Sequence, residues 1–184
     1  MGYWNTRGLR GSALEEMINL TNTLYVQRGL AVVQKIPTPI TPVEVSNLNH
    51  TISKAYFDQQ STVDYIGVAQ GTAICFDAKE TGRTALPLRN IHSHQIDFMS
   101  NFEKQGGICF LLVSFIQYGE VFLMPFAELK RFWDSAGLGG RKSIPYDGFN
   151  KTYLVNNQKG FPLHYLEALD LYRRVQQVEK DECL

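Results

Sequence analysis

Apolar positions first recur at helical spacing in Leu14, Ile18, Thr21 and Tyr25, with Met17 and Leu24 beside them. Ser12 opens this run in an S-x-x-E pattern closed by Glu15, a side-chain exchange that caps helix starts, and Gly29 supplies a stop. The pattern then shortens to that of a strand over residues 31–36, which "PTPITP" (37–42) ends. Three prolines in six residues cannot lie in a central strand or a helix interior, so the polar stretch 45–60 reads as an excursion from the domain. Within it, 54–57 fits either a strand or a helical turn. Strands over 62–68 and 72–79 flank "AQG", a plausible hairpin. A loop with Pro87 leads to a helix over 91–104, broken by Gly106 and Gly107. "ICFLLVSF" (108–115) is apolar throughout, as strands in a sheet's centre are, and 120–124 pairs after a turn. A helix over 126–133, a glycine-rich loop over 137–148 and a last helix over 163–178 complete the chain. This order predicts an α/β fold, a mixed sheet flanked by helices.

Length narrows the picture: 184 residues suffice for one domain with a real core and are short for two. The expected organisation is an amino-terminal arm over 1–11 and a single domain over 12–184, with an insertion at about 37–60. Cys75, Cys109 and Cys183 form no CxxC pair, which disfavours zinc and a disulfide framework and suits a reducing compartment. The longest apolar run, 108–116, is far below the roughly 20 residues of a membrane-spanning helix. A cytoplasmic protein is expected. The net charge is zero, which counts mildly against nucleic acid. The acids are concentrated toward the end, however, and two others are candidates for a cation, so a neutral total can hide a basic face.

Those two acids are Asp64 and Asp77. Residues i and i+2 of a strand point the same way, so Asp77 and Lys79 share a face, and a neighbouring antiparallel strand can bring Asp64 beside them. Facing carboxylates repel unless a cation sits between them. Hard oxygen ligands without Cys or His suit Mg²⁺, and a lysine alongside can orient a water or stabilise charge on a phosphate. Alone, the set reads more readily as surface charges on an edge strand. Other residues also leave two readings open. Glu15, Asn19 and Asn22 share a helical face, solvated or turned to the site. His92 and His94 suit a solvent or phosphate contact better than a metal. Tyr56 and Phe57 could stack on unpaired bases, plug a local core or meet another subunit. The stripe Leu163, Leu166, Leu169 and Tyr172 is core or dimer packing.

Several blocks are more specific: "RG…LEEMINLTNTLY" (7–25), "KIPTPI" (35–40), "AYFDQQSTVDYIG" (55–67), "FDAKET" (76–81), "LPLRNIHSHQI" (86–96), "GICFLLVSF", "FWD", "GRKSIPY" (140–146) and "LHYLEALDLY" (163–172). In this order they resemble the RecU family of Holliday junction resolvases over about 7–178. The resemblance implies a restriction-endonuclease-like core with a protruding stalk, and a homodimer that resolves four-way DNA junctions with Mg²⁺, for which Mn²⁺ can substitute. It assigns Thr62, Asp64, Asp77 and Gln95 to the metal site, Gln95 through water. Lys79 becomes the transition-state lysine and Glu15 a helix-one glutamate near the active site. It also turns Arg7, Arg10, Arg141 and Lys142, with Tyr56 and Phe57, into candidate DNA contacts, and leaves room for a recombinase partner. Asp77 departs from the family's usual Glu, a side chain one methylene shorter. The competing expectations are another nuclease on the same core, a non-catalytic junction binder, and a scaffold without a DNA role.

Overall fold

The computed structural model describes residues 12–37, 39–46, 49, 51–57 and 62–181. Helix α1 (Ala13–Gln27) starts where the capping pattern places it, the Ser12 hydroxyl accepting the Glu15 N–H at 3.2 Å. It ends before Gly29, whose φ of 64° suits glycine. After β1 (Ala31–Lys35) the chain leaves the main sheet for a two-stranded ribbon, β2 (Ile40–Ser46) and β3 (Thr51–Phe57). The segment that suited either a strand or a turn is therefore strand. Pro42 is tolerated in β2 because a ribbon of two strands has free edges, and the register shifts just after it.

β4 (Tyr65–Ala69) and β5 (Thr72–Thr81) form the expected hairpin. Its turn residues Gln70 and Gly71 have φ of 47° and 81°, the left-handed pair of a tight hairpin. β4 starts three residues later than its sequence pattern suggests, because 62–64 bends and the Asp64 carbonyl accepts the Ile36 N–H at 2.8 Å. β6 (Ala85–Pro87), α2 (Ser93–Lys104), β7 (Ile108–Phe115), β8 (Glu120–Pro125) and α3 (Phe126–Gly137) follow, then β9 (Ser143–Pro145), β10 (Leu154–Val155) and α4 (Tyr165–Asp181). α3 runs one turn beyond the predicted end. Two stretches expected to be loops carry strands, since β6 pairs β9 antiparallel and buries Leu86 and Ile144. Strands of three residues are too short to show an alternation.

The main sheet has the order β1-β4-β5-β7-β8-β10, with β5 and β7 parallel and the other pairs antiparallel. It is mixed and flanked by helices, as predicted. One face packs Phe76 and Phe110 against α1 and α4, through Leu14, Ile18, Tyr165 and Leu169. The stripe of α4 is thus core in its first three members. The other face packs Leu111 and Val113 among Ile96, Met99 and Leu129 of α2 and α3. Burial on both faces explains why β7 reads as an unbroken apolar run. The cysteines, distant in sequence, meet across it: Cys75 and Cys109 are register partners with Sγ atoms 3.2 Å apart, both buried and unbridged. Among the described residues no helix is long and apolar enough to cross a membrane.

Candidate active site

The β4–β5 hairpin assembles the acidic pair. Asp77 and Lys79 alternate with Phe76 and Ala78, which belong to the α1–α4 side, so both project toward the α2 side. Asp64 stands just before β4, and its Oδ2 accepts the Ala78 N–H at 2.9 Å, a bond from the backbone between the other two site residues. Asp77 is fully buried. Its Oδ1 accepts from Gln95 Nε2 at 2.9 Å, and its Oδ2, which accepts no hydrogen bond among the described residues, faces the Lys79 ammonium as an ion pair.

Burial, and then the charge of Asp77, push the Asp64 carboxyl up to about 6, against the opposing pull of the Ala78 N–H and Lys79. Two carboxylates whose joint ionisation is resisted, one with a buried oxygen that faces the Lys79 ammonium, could hold a hard divalent cation between them. Among the described residues no three His, Cys, Asp or Glu side chains gather. Side-chain ligation of a cation there would come from the two carboxylates, leaving positions for water and substrate oxygen.

Gln95 is brought in from the first turn of α2. Its Oε1 accepts the His92 N–H at 3.0 Å and closes a capping box, while its Nε2 holds Asp77. It reaches the site through the carboxylate it orients. His92 and His94 stack, with ring centroids 5.4 Å apart, at this helix start. Thr62 is exposed in the bend two residues before Asp64. Glu15 pairs with Lys35 at 2.9 Å, and Lys35 is the register partner of Tyr65. Burial first, then the charges of Glu15 and Asp64, hold the Tyr65 hydroxyl well above its ordinary value, and it donates to Asn19 Oδ1 at 3.0 Å. Glu15 is thus tied to the end of β1 beside the Asp64 bend, while Asn22 is buried and accepts from the Tyr165 hydroxyl.

Tyr56 is exposed on the ribbon, in a sheet separate from the one that carries the carboxylates. Arg141 and Lys142 are exposed before β9, where the Lys142 carbonyl accepts the Leu88 N–H at 3.1 Å. Arg7, Arg10, Cys183 and the side chain of Phe57 lie outside the described residues. Lys35 was not singled out by its pattern, because an ammonium at a strand end has no signature until its partner on α1 is known.

A family model described as Recombination protein U matches residues 9–171. The Holliday junction resolvase RecU of Pediococcus pentosaceus is 45% identical over 168 residues, covering 89% of this chain and 84% of that protein. The Holliday junction resolvase RecU of Oenococcus oeni is 45% identical over 167 residues, covering 88% and 85%. Similarity to the solved structure of a Holliday junction resolvase from Archaeoglobus fulgidus is distant, at 9% identity and a TM-score of 0.37 over 60% of this chain and 78% of that one.

Proposed function

The chain belongs to the Recombination protein U family, and from that membership we propose that it is a Mg²⁺-dependent endodeoxyribonuclease that resolves four-way DNA junctions. The observation that carries the chemistry is the pair Asp64 and Asp77, held together by the Ala78 N–H, Gln95 and Lys79. Asp64, Asp77 and the Ala78 carbonyl would hold the ion, with Thr62 at its edge and Gln95 acting on Asp77. When bound, Mg²⁺ supplies a Lewis acid for a phosphoryl oxygen and lowers the pKa of a coordinated water.

The chain's own residues do the rest. The Lys79 ammonium, anchored on Asp77, orients the attacking water and stabilises negative charge on the scissile phosphate. Cleavage leaves a 5′-phosphate and a 3′-hydroxyl. Glu15 holds Lys35 beside the Asp64 bend. Two matched cuts on opposing strands call for two equivalent sites, which a two-fold homodimer provides. The chain forms one nuclease domain from which the β2–β3 ribbon projects as the stalk, reading junction shape rather than sequence.

The test incubates the protein with a mobile synthetic junction and Mg²⁺ beside Asp77→Ala. The wild type is expected to place paired symmetric nicks. Losing several kcal/mol of charge stabilisation lowers the variant's rate by about 10³-fold or more, without abolishing binding. Equal nicking by both refutes the site assignment. Equal cutting of linear duplex points to another nuclease on this core, and intact bound junctions to a non-catalytic binder.

A further inference from the structure

A cleft of about 650 Å³ opens between α3 and the β6–β9 pair. Leu88, Pro87 and Trp133 give it an apolar, partly aromatic floor, and Arg83, Arg89 and Lys142 line it with exposed cations. No acidic side chain lines it, and none of the ion pairs among the described residues uses these three bases. On a chain of zero net charge this concentrates positive charge in one place.

Its position relative to the carboxylates is set by the chain. Arg83 is four residues beyond Lys79, at most about 14 Å away along the backbone. Ile91, also lining the cleft, directly precedes His92, the capping residue of the helix whose Gln95 holds Asp77. A DNA strand with its scissile phosphate at Asp77 and Lys79 thus has the cleft within reach of its neighbouring nucleotides.

Intact duplex would satisfy only half of this surface, since it presents phosphates outward and keeps its bases stacked inside. An unpaired nucleotide presents both parts: a base that stacks on an indole and phosphates that meet guanidinium and ammonium groups. We propose that this cleft is a subsite for an unpaired nucleotide of the bound DNA, flanking the scissile phosphate. The proposal rests on the nuclease reading for its ligand, and its charge and floor are independent of the carboxylates.

Trp133 supplies the readout. The chain has two tryptophans, so Trp4→Phe leaves Trp133 as the sole indole. Titrating this full-length variant with a ten-residue oligothymidylate, without metal, is expected to quench its fluorescence saturably. Arg89→Ala with Lys142→Ala should weaken the quench-linked affinity about tenfold and reduce the slope of log affinity against log salt by about 1.4. Trp133→Ala should cost about five- to a hundredfold in binding of the same strand. Both bases are exposed, so a circular-dichroism melt should be unchanged by their removal, and the Trp133→Phe chain keeps the floor packed if the alanine variant unfolds, with binding held near wild type.

Equal quenching by a fully paired hairpin overturns the unpaired-nucleotide assignment in favour of a phosphate groove. Oligothymidylate bound without quenching, or quenching by polyglutamate but not by DNA, overturns it outright. Junction cleavage in Mg²⁺ is scored on the same preparations. A chain that quenches but does not cut keeps the cleft and loses the nuclease reading, and one that cuts without quenching does the reverse.

Discussion

Asp64 and Asp77 are adjacent acids with unequal support. Asp77 has Gln95 and Lys79, whereas Asp64 has one backbone N–H and a carboxyl pushed up to about 6. In the unfolded chain Asp64 releases its proton near 3.8, the ordinary value of an aspartate. Between that value and about 6 the metal-free native state therefore binds more protons, and this group's contribution to stability falls as pH rises through the window. Asp64→Asn removes the dependence, so the melting temperature of the variant relative to wild type should rise between pH 4 and 7. A difference that stays flat with pH sinks this account. On the proposed reading Mg²⁺ acts in the opposite sense, because it would bind the ionised pair. At a hundred times its dissociation constant it should add about 2.7 kcal/mol at pH 7.5, and less at pH 5, where protons compete. Calorimetry at the two pH values checks this, and Asp77→Ala should abolish the increment.

Among the elements, the β1–β4 pairing shows how tightly the site's frame is built. A Cβ at Gly67 would lie 2.2 Å from the Val32 carbonyl oxygen, too close for backbone to accommodate without moving. β1 carries Lys35, and its continuation at Ile36 bonds the Asp64 carbonyl, so displacing it disturbs the bend that holds the first carboxylate. Gly67→Ala should cost about 1–3 kcal/mol in urea unfolding and lower junction cleavage, while Gly82→Ala, with open space around it, should do neither. The elements legible beforehand were those with sustained period: α1 from its cap and stripe, the β4–β5 hairpin from its turn, β7 from its apolar run. β6 and β9 were not, because three residues carry no periodicity and their stability comes from each other and from buried Leu86 and Ile144.

At the scale of the whole molecule, the ribbon and the main sheet are separate hydrogen-bonded units. β2 and β3 hydrogen-bond to each other in a sheet of their own, and Ile40, Val45, Ile52 and Tyr56 remain exposed on it. The core owes them little. Replacing residues 40–57 with a short glycine-serine linker should leave a cooperative melt within a few degrees of wild type while removing the preference for four-way junctions over duplex in a gel-shift competition. Collapse of the melt would show instead that the ribbon supports the core.

Chain geometry alone decided everything that repeats over two or 3.6 residues. It put Asp77 and Lys79 on one face, made 108–115 a buried strand and ended the ribbon's approach at its prolines. A strand pairing allowed Asp64 to join Asp77 and Lys79, and family blocks pointed further, to Gln95 and Glu15. Only the fold determined that Asp64 meets the Ala78 N–H, that Gln95 spends both ends of its amide on a helix cap and on Asp77, that Asn22 turns inward, and that Trp133 shares a cleft with Arg83, Arg89 and Lys142. Those contacts depend on strand register and helix packing, where a slip of one residue sends a side chain to the opposite face, and nothing local in the chain encodes the partner it will find.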